Sequence, residues 1–254
     1  MKQRHATGRF GRLRTFNLAA GLLHLGQAII FVLIATQVSL DVTSTFATGQ
    51  PGEPVSADRL DVVFSYELAP AVALFSLLSA GFHLLIFTGW GWRRYTAELD
   101  RRQNRFRWVE YSLSASLMIV LIAGITGISD IAALIALFGV NTSMILFGWL
   151  METTNEPGPD ASWTPFVFGC VAGAVPWIVI GVYLFGAAEP PGFVYGIFVS
   201  LFLFFNCFAV NQWLQYRQIG RWREYLTGER TYIVLSLVAK SALAWQIYAN
   251  VLVG

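Results

Sequence analysis

One residue type and one position carry most of the chemistry. Only two lysines occur in the 254 residues, Lys2 in the polar N-terminus and Lys240 in the apolar run Ser236-Leu237-Val238-Ala239-Lys240-Ser241-Ala242-Leu243-Ala244-Trp245. A lysine near the middle of a membrane helix costs at least a few kcal/mol and cannot easily snorkel to water. Such a residue is held by a salt bridge inside the bundle, or its amine is used covalently. Lysine condenses with an aldehyde to a Schiff base, which arginine does not. Glu110 is the matching acid, the one carboxylate expected clearly inside a helix; Glu67 and Glu152 fall at helix ends and are expected to be wetted. A single buried cation and a single buried anion in one bundle should pair. The alternative for Glu110 is a water-exposed residue at a helix start, because Arg105 and Arg107 lie just before it.

His24 and His83 fall in the same layer, seven to ten residues inside the first and second apolar runs. Histidine titrates near neutrality, so the two could take or store a proton. Two hydrogen-bonded interhelical histidines are the plainer account, and two histidines without a third ligand make a poor metal site. Ser236 stands four residues before Lys240 on the same face, and Ser114 four after Glu110, with Ser112 and Ser116 adjacent. These hydroxyls suit an iminium or a carboxylate, although serines also let helices approach closely. A slot for a long apolar conjugated ligand could be lined by Asn141, Met144, Phe147 and Gly148, by Trp177, and by Phe202, Phe205, Phe208, Gln212 and Trp213. Core packing is the default reading of each aromatic taken alone.

The elements that must position these groups are membrane helices. The chain is 56% apolar and 13% charged, with a mean hydropathy of +0.57. A soluble chain carries about 25% charged residues, so the solvent is expected to be a lipid bilayer, and residues 1–254 to form one membrane domain. Seven runs are long enough to span it: Leu13–Ser39, Tyr66–Trp90, Trp108–Ile128, Ile131–Met151, Trp163–Ala187, Phe193–Tyr216 and Thr231–Val253. The fold class is therefore all-α, a seven-helix bundle. Gly127-Ile128-Ser129-Asp130 reads as a tight turn, Glu189-Pro190-Pro191-Gly192 as a break, and Pro176 as a kink. The first run follows basic residues as in a signal peptide, but is too long and lacks a cleavage site, so it reads as a retained anchor. Cys170 and Cys207 sit in apolar runs and read as small buried packing residues.

Arginine sets the orientation. Fifteen of the seventeen Lys and Arg residues fall in the N-terminus and the 2–3, 4–5 and 6–7 connections, and only Arg59 falls on the other side. The N-terminus is thus expected in the cytoplasm and the C-terminus outside. The arginine-rich loops could bind anionic lipid or an acidic partner, but setting the topology is enough to explain them, and nucleic acid is not an expected partner. The long outer connection, 40–65, holds Val42-Thr43-Ser44-Thr45-Phe46, a Gly49-Gln50-Pro51-Gly52 turn and Val62-Val63-Phe64. It reads either as a β-hairpin over the bundle or as an irregular polar loop.

Taken together, Trp108-Val109-Glu110-Tyr111-Ser112-Leu113-Ser114-Ala115-Ser116, Ser236-xxx-Lys240, His24, His83 and the inverted orientation resemble the heliorhodopsins over essentially the whole chain. The resemblance implies all-trans retinal on Lys240 as a Schiff base, Glu110 as counterion, and His24 and His83 in a polar cavity on the cytoplasmic side. It also implies a homodimer in the cell membrane, a hairpin-like outer loop and a slow photocycle without established ion pumping. A sensory photoreceptor is then the expected function, with an unknown signalling partner. A light-driven proton transporter is the alternative, opposed by the lack of a second acid in any helix core. Catalysis is not expected, since no nucleophile–base set, metal cluster or phosphate loop is present.

Overall fold

Backbone polar groups in lipid must be satisfied within their own segment, which makes long apolar runs helical. The structure is a computed structural model that describes residues 2–46 and 60–253, with side chains from residue 10 onward. In chain order it has α1 (Lys2–Ile34), β1 (Ser39–Ser44), β2 (Asp61–Glu67), α2 (Leu68–Phe87), α3 (Gly89–Leu99), α4 (Arg105–Ile125), α5 (Ile131–Thr154), α6 (Thr164–Gly186), α7 (Gly192–Tyr216) and α8 (Tyr225–Ile247). Every helix except α3 is long and apolar enough to cross a membrane, α1 from Phe10 and α8 through the π-helical turn Tyr248–Leu252. The molecule is a seven-helix, multi-pass membrane protein.

Of the two readings of the outer connection, the hairpin is the one that forms. β1 and β2 pair antiparallel, with Leu40 opposite Tyr66 and Val42 opposite Phe64. The Gly49-Gln50-Pro51-Gly52 turn and Arg59 lie outside the described residues. The turn between α4 and α5 receives the hairpin: Thr43 N donates to Ser129 O at 2.8 Å, and the two hydroxyls are also 2.8 Å apart. Gly127 has φ +95°, which a side chain would disfavour. Asp130 then caps α5 by accepting from Ala133 N at 3.0 Å. The core of the bundle, which includes Phe75, Ile122, Ile128 and Leu243, takes in Val42 of the hairpin.

Three local features differ from expectation. The second helix ends at Phe87, and Thr88 caps a separate helix, α3, by accepting from Gly91 N at 3.1 Å. The 2–3 connection therefore contains structure, with Tyr95 and Leu99 buried against the bundle. The last helix begins at Tyr225, which puts Lys240 fifteen residues along it, roughly 22 Å at 1.5 Å per residue. Cys170 and Cys207 are exposed, not buried, since the long apolar runs of α6 and α7 do not by themselves say which side faces the bundle. α6 runs through Pro176 as one helix.

Candidate functional site

Lys240 and Glu110 meet. Lys240 Nζ donates to Glu110 Oε1 at 2.6 Å and to Ser236 Oγ at 2.8 Å. Their side chains are 3% and 4% exposed. The same carboxylate oxygen accepts from Ser114 Oγ at 2.8 Å, one turn along α4, and from Ser79 Oγ of α2 at 2.6 Å. Tyr111 lies under the ammonium, its ring centroid 5.1 Å from Nζ. Three helices thus hold one charge pair, with Glu110 Oε1 accepting from Lys240, Ser79 and Ser114 at once.

The histidines form the neighbouring layer. His24 and His83 are stacked, with ring centroids 5.9 Å apart. His83 Nδ1 is 2.8 Å from Asn17 Oδ1. Both ring nitrogens of His24, and the hydroxyl of Ser76, are buried without a partner among the described residues. Buried polar atoms in that state are sites where water or a proton is accommodated.

On the other side of Lys240 is a cavity of about 310 Å³. Lys240, Ser236, Met144, Trp177, Phe205 and Gln212 line it. Gly148, Phe202 and Phe208 also reach it. Trp177 anchors an aromatic wall, with the rings of Phe198, Phe202 and Phe205 at 5.4–5.6 Å and near-perpendicular to it. Glycines make room: a Cβ on Gly148 would lie 2.6 Å from Trp108 Cζ3. Gln212 Nε2 donates to Gly148 O at 3.0 Å and ties α7 to α5.

Three of the expected lining residues are elsewhere. Asn141 faces α4, where its Nδ2 donates to Ser116 Oγ at 3.0 Å. Phe147 packs on Phe168, and Trp213 is exposed. Ser112 and Ser116 do not reach Glu110; Ser112 donates to Val109 O, and Ser116 bonds Thr142.

Lys240–Glu110 is not the only buried charge set, which corrects the expectation of one cation and one anion. Arg107, Glu152 and Glu229 are all buried. Arg107 Nη2 donates to Glu152 Oε1 at 2.6 Å, and Arg107 Nη1 is paired with Glu229 Oε2. Glu152, expected to be wetted, also accepts from Trp108 Nε1 at 2.5 Å, Asn104 N at 2.9 Å and Tyr225 OH at 2.9 Å. Glu229 accepts from Asn104 Nδ2 at 2.7 Å and Tyr95 OH at 2.9 Å. The early start of α8 and the presence of α3 bring these partners in. A small cavity bordered by His83, Glu110, Tyr111, Glu229 and Tyr232 lies between the two charge sets.

In overall shape the bundle is similar to the transmembrane domain of Salpingoeca rosetta rhodopsin phosphodiesterase. The TM-score is 0.66 at 13% identity, over 98% of this chain and 87% of that one. A second structure, of the transmembrane domain and linker region of the same protein, gives 0.63 at 14% identity, over 98% and 82%. Likeness at such identity is one of fold. No curated protein matches the sequence. The heliorhodopsin family model matches residues 13–252, from the first membrane span to the π-helical turn that follows α8, and the chain therefore belongs to the heliorhodopsin family.

Proposed function

We propose that this chain is a light-absorbing sensory photoreceptor, not an enzyme, with all-trans retinal on Lys240 and Glu110 as its counterion. One observation carries the reading: the Lys240 amine is in the wall of an apolar cavity and 2.6 Å from a buried carboxylate. Family membership implies a retinal chromophore, and a cavity of about 310 Å³ walled by Trp177, Phe202 and Phe205 fits a rigid, apolar, conjugated ligand. Bound through an imine to Lys240 Nζ, retinal would supply visible absorption and light-driven isomerisation.

The chain's own residues do the rest. Glu110 balances a positive charge at Nζ in a low-dielectric core. Ser79 and Ser114 fix its Oε1, and Ser236 fixes the nitrogen from one turn away. The aromatic wall excludes water. A proton held at Nζ has Glu110 Oε1 as its nearest acceptor. Beyond it, the unpartnered nitrogens of His24 and the His83–Asn17 pair could receive or store that proton. A change in this layer, passed to α1, α2 and α8, is the proposed signal. The arginine distribution supports a cytoplasmic N-terminus, and a homodimer completes the reading.

Adding all-trans retinal to membranes holding the protein should produce a visible colour that hydroxylamine bleaches. Lys240→Ala should stay colourless; covalent retinal in that variant would refute the assignment. Glu110 stabilises positive charge at Nζ more before excitation than after excitation has drawn that charge away. Glu110→Gln should therefore shift absorption to longer wavelength, and an unmoved maximum would remove Glu110 from the counterion role. A light-driven proton transporter is a second reading, favoured by the buried Glu152 and Glu229. It predicts a light-induced pH change in vesicles that a protonophore abolishes.

A further inference from the structure

At the arginine-rich end of the bundle, a groove of about 550 Å³ runs between the α3–α4 connection and the outer face of α5. Its floor is Leu146, Trp149, Leu150 and Thr153, an i, i+3, i+4, i+7 stripe on a membrane-spanning helix. Leu146 and Leu150 are each 43% exposed, and on such a helix hydrocarbon covers them. Its rim is Glu98, Arg101, Gln103 and Arg105. The groove is thus apolar for roughly 10 Å of helix rise and then becomes cationic.

The arginines at this rim are in different states. Arg105 is committed to Glu98, with Nε and Nη2 each 2.7 Å from Oε1, while its backbone N donates to Oε2 at 2.8 Å. Arg102, next to the rim, is 3.6 Å from Glu156. Arg101 is exposed, and its guanidinium has no hydrogen bond or ion pair among the described residues, its backbone N alone donating to Glu98 O at 2.9 Å; Asp100 precedes it in sequence but does not line the groove. A free guanidinium fork at the boundary of a bilayer matches the oxygens of a phosphate.

We propose that this groove binds an anionic phospholipid, with the headgroup phosphate on Arg101 beside Gln103 and one acyl chain along Leu150 and Leu146. Free phosphate would satisfy the guanidinium and leave the apolar stripe unused. A zwitterionic lipid would cover the stripe but bring its own cation to Arg101. An anionic lipid meets both ends of the groove. Bound there, it bridges the α3–α4 connection to α5, next to the Glu98–Arg105 pair that holds the start of α4. The inference needs a membrane-spanning bundle and does not depend on retinal.

Native mass spectrometry of the full chain, with added phosphatidylglycerol or phosphatidylcholine of the same acyl chains, tests it. Phosphatidylglycerol should be retained about fivefold better, the preference that one arginine near a bilayer surface gives. Arg101→Gln should abolish the preference while leaving phosphatidylcholine adducts unchanged. Leu150→Glu should weaken retention of both lipids. Arg221→Gln, at an exposed arginine of another connection, should change nothing. Equal retention of the two lipids, or an equal effect of Arg101→Gln and Arg221→Gln, would overturn the site. Inorganic phosphate that competes fully with the lipid would assign a free anion instead. A Leu150→Glu variant that splits a dimer with lipid retention intact would assign the face to a second copy of the chain.

Discussion

Replacing Arg107 by methionine keeps an aliphatic side chain near the rings of Tyr232 and Trp108, which lie 4.1 and 4.7 Å from the guanidinium carbon. It deletes the charge. Glu152 then retains three neutral donors, Trp108 Nε1, Asn104 N and Tyr225 OH, and Glu229 retains Asn104 Nδ2 and Tyr95 OH. Two carboxylates, 5% and 1% exposed, are left without a cation. Removing one partner of a buried ion pair costs about 3–5 kcal/mol. For a chain of this size that lowers the midpoint of thermal unfolding by roughly 6–20 °C. The readout is the helical circular dichroism signal against temperature in detergent. The triple variant Arg107→Met/Glu152→Gln/Glu229→Gln removes all three charges and keeps amides for the same donors. It should recover most of the loss, since neutral replacement of a buried ionic set is tolerated far better than a stranded charge. A single variant within about 2 °C of the parent, less than 1 kcal/mol, would refute the reasoning. So would a triple variant less stable than the single one.

Three further outcomes follow from the same geometry. Gly148→Ala puts a Cβ 2.6 Å from the Trp108 ring, which cannot easily retreat because its Nε1 is held on Glu152 at 2.5 Å. It should cost about 1–3 kcal/mol and slow retinal uptake, measured as colour formation. Ser79→Ala removes a donor 2.6 Å from Glu110 Oε1 and leaves the carboxylate less neutralised. Its absorption should move to shorter wavelength, opposite in sign to Glu110→Gln and smaller; a shift to longer wavelength would contradict the counterion geometry. Burial, then the charge of Glu229, pushes the Tyr95 phenol well above its usual range. The folded state therefore holds that proton more tightly, and the stability it contributes is intact below the unfolded pKa of about 10 and lost as pH rises beyond it. Tyr95→Phe should melt lower at neutral pH, by about 1.5–3 kcal/mol for a lost bond to a charged group. It should also lose less stability than the parent between about pH 9 and 11.

The membrane spans and the Lys240–Glu110 pair were legible in the sequence for one reason: lipid makes a buried charge costly, so the few that exist stand out. The hairpin was only half legible: β-branched runs on either side of glycine and proline allowed it, but an irregular polar loop fitted the same residues. The second charge set was not, because Arg107, Glu152 and Glu229 sit at the ends of apolar runs, where hydropathy reads them as wetted flanks. Only the extension of α8 back to Tyr225 and the packing of α3 turn that rim into an interior. The α3 pattern was present, with Trp92, Tyr95 and Leu99 on one face, but arginines between them read as a loop. Asn141 illustrates a different limit. Its helix is apolar on all sides, so no periodicity says whether it faces the cavity or Ser116, and tertiary packing alone decides.

The two charge sets share the same two helices. α4 supplies Arg107 and, one turn on, Glu110; α8 supplies Glu229 and, three turns on, Lys240. Their chemistry differs in one respect that orders their roles. A guanidinium does not give up its proton inside a protein, so Arg107 keeps its charge whatever happens nearby. The nitrogen of Lys240 can be neutral or charged and can form a covalent bond, so its attraction to Glu110 can be altered. A bundle that must respond at one point and hold elsewhere needs both kinds. An arginine in place of Lys240 would keep the pair and lose the response. A lysine in place of Arg107 would lose the fork that reaches Glu152 and Glu229 at once. The small cavity between the sets, with Tyr111 and Tyr232 on its border, is where a change at Lys240 would first meet the part of the bundle that resists it.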